Sequence, residues 1–409
     1  MSRSTQTSQR RVPWTLVATL LLALLPFFGL LGSIKLPFIG EVALGTRYHI
    51  DLATYIVIFA VFATSLNLLL GTTGLVSFGH AAYFGIGAYV CGIFMGDYGV
   101  PFLLAWLLGG LGGALFAAFF GYFCVRLTQT YFSMLTLACA QIVWAVTFKW
   151  NEVTGGEQGY PRVPMPQMSF LDWLPVAPRS LAAAKFFIIA LVLSALCIAA
   201  MRRITNSPFG RILNTIRDNP ERTQFIGINV RRYQLIAFTI AGGFAGLAGG
   251  LFGIYKRGVF PDYGHWAKGA EVLIMTILGG IHSFWGPTVG SALLILLNGL
   301  IVSYTEYWSF VLGIILLVIL FAFPDGIVGT VQTFIKKPGE RPEILAKLVW
   351  WSAAAYAALI AIIGFTGTVR NPILMGAGVV AFAVLGLLHN QIMALLERLF
   401  GFLKGGSNA

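Results

Sequence analysis

Five polar side chains interrupt the long apolar runs of this sequence, and any solute or proton chemistry inside those runs would depend on them. In chain order they are Asn67, His80, Gln141, Glu271 and Asn298. Each would be costly in lipid, so each is expected to face the protein interior or water. A lone Asn or His in an apolar helix is more often a helix–helix hydrogen-bond partner than a ligand, and both roles stay open here.

Glu271 is the sharpest of these cases because a carboxylate in an apolar stretch must be paired, hydrated or protonated. Lys268 stands one helical turn earlier and is a candidate partner. A pair between the two would make Glu271 a structural group. An unpaired carboxylate would instead suit proton or sodium coupling, as a secondary transporter requires.

The sequence lacks the common motifs of hydrolytic and metal chemistry. It contains no Gly-Lys dipeptide and hence no phosphate-binding P-loop. It also contains no His-Glu-x-x-His zinc motif and no Gly-x-Ser-x-Gly nucleophile elbow. The four cysteines have neither metal-ligand nor disulfide spacing, so we interpret them as packing residues. We therefore expect no enzymatic activity, no cofactor and no metal, and any ATP that drives this protein must be hydrolysed by another polypeptide.

The composition is that of an integral membrane protein. Of the 409 residues, 57% are hydrophobic and only 10% are charged, against about 25% charged in a soluble domain. The net charge is +12, and the basic residues cluster in particular loops. The positive-inside rule explains this bias without a nucleic acid partner. We therefore predict an all-α, polytopic helical bundle in contact with the lipid bilayer.

Apolar runs of about 20 residues, the length of a membrane-spanning helix, divide the chain. They predict ten core spans and two extra C-terminal spans, at 14–32, 51–70, 81–97, 101–123, 129–149, 181–201, 233–255, 267–281, 287–304, 308–324, 345–365 and 372–389. Residues 14–330 then form the core domain, and residues 331–409 form a C-terminal extension.

The distribution of arginine and lysine orients these spans. If residues 1–13 are a cytoplasmic N-terminus, alternation places the basic loops 202–232 and 325–344 in the cytoplasm. Residues 150–180 are rich in proline, glycine and aromatic residues and nearly charge-balanced, and they become an external loop.

The stretch from Asn206 to Arg232 is a polar, basic interruption that contains a short helix with clear start and stop signals. Asn219 is a good N-cap, Pro220 suits the first helical position, and Gly227 can end the helix. A helix of about two turns is unstable alone in water, so it needs a partner to pack on. The apolar residues that would supply the contact are Phe225, Ile226 and Ile228.

Two glycine-rich stretches break the apolar pattern and share the motif G-x-x-S-F. The first runs from Gly71 to Tyr89 and contains Ser77; the second runs from Gly279 to Ala292 and contains Ser283. Non-helical backbone at membrane depth must be covered by protein or line a water-filled cavity, and interrupted segments point to a transporter's solute path. We predict that the first break lies beside this path, with Ser77 and His80 near the solute. The alternative is that His80 only ties two helices together.

Glycine recurs at four-residue intervals in three apolar runs, which places small residues on one helix face. The sets are Gly92 with Gly96, Gly109 with Gly113, and Gly242 with Gly246 and Gly250. Because small residues let helices approach closely in lipid, a tightly packed bundle is expected.

Five ordered blocks of sequence carry a family resemblance. They are Leu66–Tyr89 (LNLLLGTTGLVSFGHAAYFGIGAY), Val125–Val143, Thr154–Gly159 (TGGEQG), Ser207–Gly253 and Ala270–Pro287 (AEVLIMTILGGIHSFWGP). Together they cover about residues 50–330 and resemble the membrane permeases of ABC importers of the branched-chain amino acid type.

The resemblance implies a heteromeric importer in the bacterial cytoplasmic (inner) membrane. This chain would be one of two homologous permease subunits, two ABC ATPase subunits would bind below, and a periplasmic or extracellular solute-binding protein would deliver the solute. The helix after Asn219 would be the coupling helix that docks on an ATPase. The residues assigned to this coupling are Arg217, Pro220, Glu221, Arg222, Phe225, Ile226 and Gly227. The residues assigned to the transport pathway are Asn67, Ser77, His80, Gln141, Glu271 and Ser283.

The sequence departs from the family pattern in three places. Gln141 stands where the family often has Glu, the segment from His282 to Trp285 is bulkier than usual, and the two C-terminal spans are not part of the pattern. Branched-chain or related amino acids are the leading substrate prediction, with urea or short amides and aromatic acids as alternatives. A secondary transporter of a small organic solute is the alternative class of protein.

Overall fold

The computed structural model describes the chain over four main ranges and five short pieces. The main ranges are residues 47–127, 129–166, 178–302 and 325–330, and the short pieces are 33–36, 40–43, 312–313, 316–317 and 323. The predicted features that lie outside the described residues are the N-terminus 1–13, the spans 14–32, 345–365 and 372–389, most of 308–324, and the extension 331–409.

Helices make up most of the described residues, so the all-α prediction is confirmed. They are α1 (Arg47–Thr73), α2 (His80–Gly96), α3 (Phe102–Cys124), α4 (Gln129–Lys149), α5 (Asn151–Thr154), α6 (Pro178–Asn206), α7 (Pro208–Asp218), α8 (Pro220–Phe225), α9 (Val230–Lys256), α10 (Trp266–Gly279) and α11 (Gly286–Val302). Short 3-10 turns cover Gly156–Gln158 and Pro261–Gly264. Before α1, strands β1 (Ser33–Leu36) and β2 (Gly40–Ala43) pair as an antiparallel hairpin.

Five of the described helices are long and apolar enough to cross a membrane: α1, α3, α4, α6 and α9. Helices α2, α10 and α11 coincide in position with predicted spans but have 17, 14 and 17 residues. At about 1.5 Å per residue they reach about 21–26 Å, less than the hydrocarbon thickness of about 30 Å. A glycine-rich break precedes α2 and another separates α10 from α11, whereas α11 is followed only to Val302, where the described range stops. The count of ten spans stays a prediction.

Helices α1, α2 and α9 form the centre of the bundle. Helix α1 has the largest buried share of the five long helices, and α4 has the smallest. An aromatic cluster holds the centre together, with the rings of Phe62 and Phe84 stacked at 4.4 Å and Phe59 meeting Phe252 edge-on at 5.6 Å. All four cysteines are buried and free, as expected for packing residues.

The small-residue faces of α3 and α9 bring backbones into contact, as their spacing predicts. A Cβ added to Gly246 would lie 2.6 Å from the carbonyl oxygen of Gly109, and one on Gly113 would lie 2.6 Å from that of Gly242. A Cβ on Gly87 of α2 would lie 2.2 Å from the carbonyl oxygen of Gly246. Larger residues would push the three helices apart, so glycine sets their spacing.

Gly92 and Gly96 serve a different purpose from the helix–helix packing that their spacing predicts. A Cβ on Gly92 would meet the side chains of Val259 and Val163, and one on Gly96 would lie 2.2 Å from the hydroxyl of Tyr160. These partners lie in loops, because α2 ends beside the segment that follows α5 rather than beside another helix. The two glycines therefore make room for that segment.

Residues 154–160 form a compact turn that we call the platform. Gly155, Gly156 and Gly159 all have positive φ, which lets the chain reverse within six residues. Tyr160 pairs with Val259 through two backbone hydrogen bonds of 2.7 and 2.9 Å, and its hydroxyl donates to Asp97 at 2.7 Å. Burial and this hydrogen bond raise the pKa of Tyr160 to about 12, so the phenol stays protonated near neutral pH. The predicted external loop is thus ordered where it is described.

Candidate functional site

The helix predicted after Asn219 is present as α8, with the predicted start and stop signals. The Asn219 side chain accepts a hydrogen bond from the backbone N–H of Arg222 at 2.9 Å, and Pro220 occupies the first turn. Glu221 lies in the same first turn, where negative charge is favourable. Gly227 follows with φ +88°, and open space surrounds the position a Cβ would take.

The apolar tip of α8 has no cover within the described chain. Phe225 is 90% exposed and Ile226 is 65% exposed. Only Thr223 of this helix is buried, and its hydroxyl donates to the carbonyls of Thr215 at 3.1 Å and Asn219 at 2.8 Å. Two large apolar side chains on a rigid, polar-flanked turn are typical of a protein-binding surface.

Helix α7 attaches this tip to the bundle, and sequence reasoning did not identify it as a separate element. Ser207 caps it through a 3.4 Å hydrogen bond from the Gly210 backbone N–H, and Pro208 occupies the first turn. Leu213 and Ile216 are completely buried and lie three residues apart on one face. This spacing could have revealed α7, because apolar residues that recur every three or four positions predict an amphipathic helix.

Arg217, at the end of α7, contacts the end of α1, and its side chain is about one-third exposed. Its guanidinium donates to the carbonyl oxygen of Gly71 at 2.6 Å and to one carboxylate oxygen of Asp218 at 3.1 and 3.2 Å. Gly74 lies against it, since a Cβ there would be 3.0 Å from the Arg217 Cγ. The end of α1 therefore lies beside the 206–230 segment, and we call this end of the bundle the loop end.

The first predicted break is present between α1 and α2. Helix α1 ends at Thr73, Gly74 follows with φ +77°, and α2 begins at His80. The break is held by hydrogen bonds from the Leu75 backbone N–H to the Leu69 carbonyl at 3.1 Å, and from the Ser133 hydroxyl to the Val76 carbonyl at 2.7 Å. It is thus a fixed, non-helical segment covered by α4.

The second predicted break is present between α10 and α11. Gly280 has φ +113°, and the turn is closed by hydrogen bonds from the Ser283 N–H to the Gly280 carbonyl and from the Gly286 N–H to the Ser283 carbonyl. A Cβ on Gly290 would lie 1.9 Å from the Met275 carbonyl oxygen. The two helices therefore run backbone against backbone on both sides of the break.

The two breaks meet at the loop end. The Asn67 amide donates to the Ser283 carbonyl at 3.4 Å. A Cβ on Gly71 would lie 2.5 Å from the Ile281 carbonyl oxygen. Further along α1, the hydroxyls of Thr64 and Thr288 are 3.5 Å apart. The structure thus brings Asn67 and Ser283 together at the end of α1. The sequence assigned both residues to the pathway but did not indicate that they are in contact.

Ser77 and His80 are buried in the first break. His80 is fully buried, its Nε2 is 2.8 Å from the Ser65 hydroxyl, and its ring stacks on Phe62. The Ser77 hydroxyl and the His80 Nδ1 have no hydrogen-bond partner among the described residues. A buried polar atom without a partner costs about 1–3 kcal/mol. The bond to Ser65 ties α2 to α1 but leaves the His80 Nδ1 unsatisfied. A role for His80 beyond this tie requires another state in which the Nδ1 has a hydrogen-bond partner.

Glu271 lies away from this group and is paired as anticipated. Its carboxylate is 2.7 Å from the Lys268 ammonium, which also donates to the Tyr55 hydroxyl at 3.3 Å. Lys268 and Glu271 are each about one-quarter exposed. Gln141 is half-buried on α4 and is not in contact with this pair through any described hydrogen bond. Of the six residues that the sequence assigned to the pathway, four therefore lie at the loop end, Glu271 is paired with Lys268 near the other end, and Gln141 lies on α4.

The described residues form a helical bundle with five membrane-length apolar helices, two broken helices and an uncovered apolar tip, an arrangement that suits a membrane transport subunit. The chain belongs to the family described as "Branched-chain amino acid transport system / permease component", which matches residues 48–320. It is thus a multi-pass permease component of the inner membrane and not an enzyme.

The curated relatives carry names of the same kind. LivM of Escherichia coli (strain K12), a high-affinity branched-chain amino acid transport system permease protein, is 28% identical over 307 residues, which are 71% of this chain and 72% of LivM. LivH of Salmonella typhimurium, named as a permease protein of the same system, is 25% identical over 282 residues, which are 66% of this chain and 91% of LivH. No solved structure matches this chain.

Proposed function

We propose that this chain is the permease subunit of an ATP-driven importer, and that α8 is the surface on which a separate ATPase subunit docks. The observation that carries this proposal is the 90% exposure of Phe225 on a capped, fixed helix. An aromatic anchor surrounded by polar residues is typical of a binding hot spot. The chain has no P-loop of its own, so the energy must come from a partner.

The charge of the loop end argues that the tip faces the cytoplasm. Residues 202–232 contain seven arginines against two acids, Asp218 and Glu221. Cytoplasmic loops carry such an excess, and ATP is available on that side. The same charges keep the segment out of lipid, so the exposure of Phe225 and Ile226 is explained better by a protein partner than by the bilayer.

The solute path runs, in this proposal, between this chain and a second homologous permease along α4. Helix α4 has the smallest buried share of the long helices, and its exposed residues include the small Ala138 and Ala145 beside the larger Tyr131 and Ile142. The amide of Gln141 is half-buried on the same helix. A polar side chain in an apolar, incompletely enclosed helix is expected to meet protein or water rather than lipid.

The polar group at the loop end is proposed as the inner end of this path. Asn67, Ser77 and His80 each retain a buried polar atom without a hydrogen-bond partner among the described residues. Such atoms would be satisfied by water or solute if the two breaks separated during transport. Lys268 and Glu271 would line the outer end, where their mutual pairing makes a proton- or sodium-coupled secondary transporter the weaker alternative.

The substrate and the remaining partners follow the printed names of the relatives. LivM and LivH are named for branched-chain amino acid transport, and we propose a branched-chain or related amino acid as the solute. Urea or short amides and aromatic acids are the alternatives that a substrate screen would test. The complex would contain two ATPase subunits, a second permease and an external solute-binding protein, which would approach the side of the platform.

The test replaces Phe225 with Asp in the complete complex. Full burial of a Phe side chain contributes about 1.5–3 kcal/mol, so its loss alone weakens docking about 10- to 150-fold. The introduced carboxylate adds a desolvation cost. We expect normal membrane insertion but loss of ATPase co-purification and of ATP-driven uptake, whereas Tyr98→Ala, an exposed aromatic on the α2–α3 turn, leaves both intact. Unchanged uptake in Phe225→Asp would reject the docking surface.

A further inference from the structure

One arginine connects the docking tip to both broken helices. The Thr223 hydroxyl of α8 donates to the Thr215 carbonyl in the last turn of α7, so a displaced tip moves this turn. Arg217 lies in the same turn and donates to the Gly71 carbonyl of α1 at 2.6 Å. These two hydrogen bonds connect the tip, through the last turn of α7, to the end of α1. Arg217 and Gly71 lie 146 positions apart in the sequence.

The guanidinium meets α1 at the point where that helix stops. The last carbonyls of a helix lack intrahelical partners and carry partial negative charge, which a cation satisfies. Gly71 is within the last turn of α1, and the chain leaves the helix at Gly74 with φ +77°. Asp218 holds the same guanidinium at 3.1 Å, which fixes its direction. A lysine could not serve both acceptors in this planar geometry.

The second break lies directly on the other side of Gly71. The Ile281 carbonyl is so close that a Cβ on Gly71 would lie 2.5 Å from it, and Asn67 bonds to Ser283 one turn away. The end of α6 is connected to this break as well, because the guanidinium of Arg202 lies 5.2 Å from the centre of the Trp285 ring. Movement of the α1 end therefore displaces both breaks together.

We propose that Arg217 is a positioning residue that transmits displacement of the docked α8 to the two broken helices at the inner end of the solute path. This inference rests on the proposed function. It differs from the role assigned from the sequence, in which Arg217 belonged to the surface that contacts the ATPase. Arg217 acts inside this chain, so its loss separates ATP hydrolysis from transport without detaching the ATPase.

The test compares Arg217→Met and Arg217→Lys with the matched control Arg211→Met in the assembled complex. Arg211 lies on the same helix but is exposed. The readouts are retention of the ATPase subunits, the rate of ATP hydrolysis and the solute transported per ATP. We expect Arg217→Met to retain the subunits and hydrolysis while transport per ATP falls about tenfold, within the range of single-residue couplings. Arg217→Lys is expected to be intermediate and Arg211→Met unchanged.

A second variant covers the case in which Arg217→Met reduces folding. Asp218→Ala leaves Arg217 in place and removes a side chain that is 70% exposed, so it loosens the guanidinium at little cost to stability. We expect a smaller loss of transport per ATP with normal assembly. Transport per ATP within twofold of wild type in each of the two variants that assembles overturns the inference, as does a proportional fall of assembly, hydrolysis and transport in Asp218→Ala.

The outcomes also separate this inference from the proposed function. If the wild-type complex shows no ATP-driven uptake, the proposed function fails. A different result would reject only the role of Arg217. In that case the wild-type complex transports and Phe225→Asp loses the ATPase, but the Arg217 variants transport as much solute per ATP as the wild type.

Discussion

Replacement of Gly246 by Ala tests whether backbone contact between α3 and α9 sets the geometry of the bundle. The added Cβ would lie 2.6 Å from the Gly109 carbonyl oxygen and 3.1 Å from the Gly113 Cα, both of which are backbone atoms that cannot rotate away. The helices must separate by several tenths of an ångström, and overpacking of this kind costs about 1–3 kcal/mol.

The matched control is Gly243→Ala, one turn earlier on the same helix. There the nearest atom to the added Cβ is the Cβ of Ala114 at 3.3 Å, which small adjustments accommodate. Both variants gain the same helix propensity, about 1 kcal/mol for Gly to Ala, so the difference between them isolates the backbone clash.

The assay is thermal unfolding of the purified chain in detergent, followed by the monodisperse fraction after heating. The factor of about 2–4 °C per kcal/mol for domains of 150–250 residues is an upper bound for this longer chain, so a difference of about 1–3 kcal/mol corresponds to a Tm that is lower for Gly246→Ala than for Gly243→Ala by up to about 12 °C. A Tm for Gly246→Ala equal to or above that of Gly243→Ala would refute the contact between the two backbones.

Three further predictions concern function. The purified chain alone is expected to show no ATP hydrolysis, because it lacks a P-loop; activity in a contaminant-free preparation would contradict this. Truncation before Lys347 is expected to leave an inserted, assembled core, because the family match ends at residue 320; loss of insertion would show that the extension is integral. On a background without the four native cysteines, Ser77→Cys is expected to react with a small water-soluble thiol reagent only during ATP-driven turnover, since Ser77 is 1% exposed at rest. Protection of positions 77–81 in both states would place the path elsewhere.

The local features of this protein could be predicted from its sequence because their causes are local. The caps of α8 depend on Asn219, Pro220 and Gly227, which are adjacent in the chain, and all three act as their residue types indicate. The two breaks were also predictable from the sequence, because each contains several glycines. In each break one glycine has a positive φ, which ends the preceding helix.

The features that failed prediction depend on contacts between distant segments. Nothing near Arg217 in the sequence indicates that its guanidinium bonds to the Gly71 carbonyl, 146 positions away. Gly92 and Gly96 have the spacing of a helix contact, but their partners are decided by where the segment that follows α5 folds back. The pairing of Lys268 with Glu271 was accessible because both lie on one helix, one turn apart.

ATP-driven uptake by the reconstituted complex would show whether this chain is the permease subunit of an importer. Proteoliposomes would contain this chain, the second permease and two ATPase subunits, with the solute-binding protein outside and ATP inside. We expect uptake of a labelled branched-chain amino acid that requires every component and stops with Phe225→Asp. Uptake by this chain alone, driven by a proton or sodium gradient and indifferent to ATP, would contradict it.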